Sequence, residues 1–178
     1  MNSDRLHAFF APMVRRAFGQ LGFRDPEVAA HITSILAAFA RADRLYAVRA
    51  ADGRPLEHVA EMLEAGMPAA ERVEARRDFR KYVGDYTLFM SGIFRAHVSR
   101  GGYLDFYVRE GTRSYRDVAD LDARMYRAGH RLFAELSQHF ELYSGALDFL
   151  RHAYFANAPG ANPFADFLRR IEHWPSLN

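Results

Sequence analysis

Apolar residues recur along this chain three and four positions apart, the spacing of helices. The first stripe is Leu6, Phe9, Phe10, Met13, Val14, Ala17 and Leu21, which predicts an amphipathic helix from about Asp4 to Leu21. Ser3 or Asp4 can cap it, Gly22 can end it, and Pro12 should bend it or shorten its first part. A second helix is signalled by Asp25-Pro26-Glu27, an N-cap residue followed by proline at the first helical position. It carries Val28, Ile32, Ile35, Leu36 and Phe39 on one side. From Arg41 to Arg54 the pattern weakens, and Asp52-Gly53 marks a turn. A short helix is expected from Pro55 to Glu64, with Leu56, Val59, Ala60 and Leu63 turned inward.

The next helix should be long, from about Ala69 to His97, charged at first and then apolar. Its opening run, from Glu71 to Lys81, sets carboxylates and bases three to four apart, as a solvated face with helix-supporting pairs would. Gly101-Gly102 predicts a corner. Tyr103 to Glu110 follows, and after Gly111 a further helix that Ser114 could cap. Another runs from about Leu121 to Phe140, with Met125, Ala128, Leu132 and Leu136 inward. Ser144-Gly145 reads as a break before Ala146 to Phe155. Residues 158–163 read as a loop, and Asn162 could cap a last short helix from Phe164 to Ile171. No segment alternates apolar and polar residues over a strand length. The fold class is therefore all-α: a single-domain globular bundle over residues 1–178, with about seven to nine helices.

Composition narrows the function classes. Hydrophobic residues make up 49% and charged residues 26%, a globular balance, and fifteen Phe with nine Tyr can supply a substantial core. The net charge is only +2, with 22 acids against 24 bases, so a nucleic-acid binder is not indicated. Cysteine is absent, which excludes disulfides, thiolate metal sites and cysteine nucleophiles. The N-terminal segment lacks the basic-then-apolar order of a signal peptide, and no apolar span is long enough to cross a membrane, so a cytoplasmic location is expected.

The stretch from Phe79 to Tyr115 is where chemistry is sought. Phe79, Tyr82, Val83, Tyr86, Leu88, Phe89, Met90, Ile93 and Phe94 cover most of a helix circumference, so that helix should be largely buried. Gly84, Asp85, Thr87, Ser91 and His97 interrupt it, and a buried polar group needs a partner. Gly84 and Ser91 should let another helix approach closely, within the chain or in a homodimer. Asp85 should find a cation such as Lys81, or a tyrosine hydroxyl. His97 and Glu110 could meet across the glycine corner. The candidate pocket is thus Asp85, Tyr86, His97, Tyr103, Tyr107 and Glu110. Glu135 and His139, four apart, are the weaker candidates for a divalent metal. No nucleophile elbow, dinucleotide or phosphate-loop motif occurs.

The runs Gly84–Phe94 (GDYTLFMSGIF) and Tyr103–Tyr115 (YLDFYVREGTRSY) resemble a group of uncharacterised bacterial all-helical proteins. The resemblance implies an all-helical fold and carries no activity, cofactor or site residue. The functional expectation is a binding or interaction module around residues 79–115, for a small apolar or aromatic ligand or for self-association. The alternative is an enzyme using a His/Glu/Tyr pocket, with or without a metal.

Overall fold

The computed structural model describes residues 3–41, 48–54, 56, 58–66 and 72–155. Among these, eight α-helices and a closing π-turn account for the regular structure, and no strand occurs. The helices are α1 (Ser3–Gln20), α2 (Pro26–Phe39), α3 (Val59–Gly66), α4 (Val73–Ile93), α5 (Arg95–Arg100), α6 (Leu104–Arg124), α7 (His130–Gln138) and α8 (Phe140–Leu150), followed by the π-turn Arg151–Phe155. The all-α reading holds. The helix expected over Phe164–Ile171 and the loop at 158–163 lie outside the described residues.

The described residues fall into two compact units, and the chain passes between them after Leu88, Leu104 and Tyr143. The first contains α1, α2, the last turn of α4, α5, and α8 from Ser144 onward with the π-turn. Its α1–α2 hairpin follows from local chemistry. Asp25 caps α2, its Oδ1 accepting from the backbone N–H of Glu27 (2.8 Å) and Val28 (3.3 Å), and Pro26 occupies the first helical position. Gly22 takes φ +81° to end the preceding turn. Pro12 sits on the exposed side of α1, which runs on without interruption. Buried side chains of α1 (Leu6, Phe10, Val14, Phe18) and α2 (Val28, Ile32, Ile35, Leu36) form the inner faces. Phe89 is fully buried between Phe39 and Phe94, with ring centroids at 5.2 and 5.4 Å.

The second unit contains α3, α4 up to Leu88, α6 from Asp105, α7 and the start of α8. Here α4 and α6 are antiparallel partners. Residue 77 meets 122, 84 meets 115, and 87 approaches 111, the numbers rising on one helix as they fall on the other. Two glycines allow the approach. A Cβ on Gly84 would lie 2.7 Å from the Tyr115 ring, and one on Gly111 would lie 2.2 Å from the Phe140 ring and 2.5 Å from Thr87 Oγ1. The expected Asp52-Gly53 turn is present, with Gly53 at φ +85° and Asp52 Oδ1 accepting from the Arg54 N–H at 3.0 Å.

Four local expectations fail for identifiable reasons. Gly111 does not break a helix: α6 runs through it, because the Phe140 ring fills the space a side chain would take, and Ser114 is interior and not a cap. The helix expected from Leu121 to Phe140 is divided instead: α6 ends at Arg124, Tyr126 turns at φ +52°, α7 covers His130–Gln138, and Phe140 opens α8. Phe94 (φ −111°, ψ +26°) divides α4 from α5 within the expected Ala69–His97 helix. Ser144-Gly145 is continuous α8, since the Ser144 hydroxyl bonds to Ser91 at 3.0 Å and no longer competes for the backbone.

Candidate functional site

The polar groups of the second unit line the α4–α6 seam. Asp122 is fully buried on α6. Its two oxygens accept from Arg77 Nε and Nη2, each at 2.8 Å, and Arg77 lies 5.5 Å over the Phe133 ring. The Asp122 hydrogen bond raises the Arg77 pKa above the ordinary arginine value, outweighing burial, which lowers it. Arg80, also buried, reaches Asp117 at 3.1 Å. The opening run of α4 is therefore not a wholly solvated face: Arg77 and Arg80 turn inward to carboxylates of α6, at residues too far along the chain to be paired by spacing.

One helical turn further, Asp85 collects both partners expected of it. Lys81 Nζ donates to Oδ2 at 2.6 Å, and the Tyr115 hydroxyl donates to Oδ1 at 2.9 Å. Tyr115 is fully buried. Burial first, then the Asp85 charge and hydrogen bond, push its pKa well above that of free tyrosine. It stays protonated at physiological pH, so it is a hydrogen-bond donor and not a base. This cluster is internally matched and holds α4 to α6.

The other candidates are distributed as follows. Tyr86 is fully buried and stacks on Tyr82 at 6.0 Å. Tyr107 and Glu110 lie on the buried face of α6, with Glu110 Oε1 4.0 Å from Arg109 Nε. These three and Asp85 belong to the second unit. His97, half-buried on α5, and Tyr103, 46% exposed, belong to the first. Gly84 and Ser91 are both buried and enclosed by Tyr115 and Ser144 respectively, so the close approach they permit is within the chain. Glu135 and His139 do come together, at 3.1 Å, but Glu135 Oε1 also accepts from the Tyr143 hydroxyl at 2.7 Å. Among the described residues no group of three potential metal ligands occurs.

A concave site lies elsewhere, in the α1–α2 hairpin. A groove of about 450 Å³ is lined by His7, Ala11, Arg15 and Phe18 of α1, by Phe23 and Arg24 of the connection, and by Asp25, Pro26, Ala29, Ala30 and Thr33. The space exists because alanines stand where two helices face each other: Ala11 on one, Ala29 and Ala30 on the other. Phe18 and Phe23 pack at 5.5 Å on its wall. Its inner polar groups are already matched. The Thr33 hydroxyl donates to the Ala29 carbonyl at 2.8 Å, and His7 Nε2 meets Ser34 Oγ at 3.1 Å. Arg15, Arg24 and Ala30 are exposed, so the groove opens to solvent on that side.

Neither a family model, a curated protein nor a solved structure matches the chain. No described helix is long and apolar enough to cross a membrane.

The α1–α2 groove was not anticipated from the sequence, which places no chemistry-bearing motif there. The one usable signal was that Ala11, Ala29 and Ala30 flank a short connection and therefore come opposite one another in a hairpin.

Proposed function

We propose that this protein is a small-molecule-binding helical module whose ligand occupies the α1–α2 groove. The observation that supports this reading is the groove itself: about 450 Å³, walled by Phe18, Phe23 and alanines, within the roughly 300–1,000 Å³ usual for ligand sites. Its apolar wall favours an apolar body. The polar residues of the 79–115 segment support a structural role instead, because Asp85, Lys81 and Tyr115 satisfy one another.

The test is a titration of the isotopically labelled protein with octan-1-ol, followed by amide chemical shifts. Perturbations should concentrate on Ala11, Phe18, Phe23, Ala29, Ala30 and Thr33. They should disappear in Ala29→Phe, which fills the groove, while the rest of the spectrum stays that of a folded protein. Shifts confined to residues outside the hairpin, or none at all, would refute the reading.

A further inference from the structure

We infer that the occupant of this groove is an amphipathic carboxylate: an apolar body carrying one anionic head, held at the mouth by Arg15 and Arg24. The inference rests on the groove being a ligand site and adds its charge selectivity.

Arg15 projects from α1 one helical turn beyond Ala11, and Arg24 from the connection into α2, and both line the same groove. Both are exposed, and among the described residues neither forms an ion pair. The one acid on the lining, Asp25, is already engaged. Its Oδ1 accepts the backbone N–H groups of Glu27 and Val28, so that carboxylate serves the first turn of α2. Two guanidinium groups against this one carboxylate leave the mouth with a net positive charge.

Behind the mouth the surface changes character. Phe18, Phe23 and Ala29 give no open hydrogen-bonding group, and Thr33 returns its hydroxyl to Ala29. A ligand that fits both ends has its charge at one end only. A planar carboxylate matches the guanidinium fork in two parallel hydrogen bonds, which an alcohol or an ammonium cannot do. A neutral apolar molecule would leave the net positive charge of the mouth unmatched. A cation would be repelled by both.

The test compares three ligands of equal chain length, octanoate, octan-1-ol and octylammonium, by amide-shift titration of the intact chain. Octanoate should bind about tenfold or more tightly than octan-1-ol, the size expected of a charge-assisted hydrogen bond. Octylammonium should bind weakest. Arg15→Gln/Arg24→Gln should remove the octanoate advantage and leave octan-1-ol binding unchanged. Arg5→Gln/Arg16→Gln, which removes the same charge from exposed positions outside the groove lining, should leave the advantage in place. Raising the salt should narrow the advantage, because the guanidinium groups are exposed and screened. Equal affinity for octanoate and octan-1-ol would overturn the carboxylate inference while leaving the groove as an apolar site. An octanoate preference that survives the Arg15/Arg24 variant would overturn it too. Failure of all three ligands to perturb the hairpin would overturn both the inference and the binding reading beneath it.

Discussion

Removing either partner of the Arg77–Asp122 pair should be costly, and unequally so. The Asp122 side chain is 0% exposed and that of Arg77 16%, and two 2.8 Å hydrogen bonds join them. Breaking a buried pair from one side costs about 3–5 kcal/mol, because the remaining charge stays behind without its partner. Asp122→Ala leaves a guanidinium that still stacks on Phe133 and still reaches Asp78 at 3.2 Å, so it should fall at the lower end, about 3 kcal/mol. Arg77→Ala leaves a fully enclosed carboxylate whose nearest remaining cation is Arg127 at 3.8 Å, so it should reach the upper end, about 4–5 kcal/mol. Arg77→Met/Asp122→Leu removes both charges and keeps the volume. It should return to within about 1 kcal/mol of the parent or better. Urea unfolding near neutral pH, followed by far-UV circular dichroism, measures all three. A cost below about 1 kcal/mol for Arg77→Ala would mean the pair behaves as an exposed one. Asp122→Ala proving the worse of the two singles would refute the argument from the enclosed carboxylate.

Two further outcomes follow from the same seam. Tyr115 has its pKa raised by folding, so its contribution to stability is complete below the unfolded value of about 10 and is lost as pH rises from there toward the folded value. The parent should therefore lose stability steeply in alkali and Tyr115→Phe less steeply; parallel alkaline unfolding profiles would contradict this. Gly111→Ala should destabilise by about 1–3 kcal/mol despite alanine's better helix propensity, because its Cβ would lie 2.2 Å from the Phe140 ring. A thermal midpoint at or above the parent's would show that the ring moves aside at little cost.

Helix existence was readable from the chain because α1 and α2 present unbroken stripes, and Asp25-Pro26 marks a start whose cap hydrogen bonds are in place. Boundaries within α4 to α8 were not. Gly111 and Ser144-Gly145 carry the local marks of breaks, but a ring at Phe140 and a hydroxyl at Ser91 overrule them. Asp85 was legible in part: Lys81 lies one turn away, whereas which tyrosine would reach it depended on the pairing of α4 with α6. Arg77 and the buried Asp122 are brought together through that same pairing, and nothing local to either announces it. The groove is a shortage of volume shared by two helices, marked in the sequence only by small residues on both of them.

The contact of Gly84 with the Tyr115 ring ties side-chain size to charge. Any side chain at 84 displaces a ring whose hydroxyl holds Asp85, and Asp85 in turn holds Lys81. The four positions are therefore not independent targets for mutation. A methyl group gained at 84 calls for a smaller residue at 115, which takes away a donor and makes a neutral residue at 85 the better neighbour. With 85 neutral, the cation at 81 loses its reason to be a lysine. Sequence drift at this place should therefore be coupled: losing either the hydroxyl at 115 or the base at 81 while 85 is still an acid leaves a buried carboxylate one donor short.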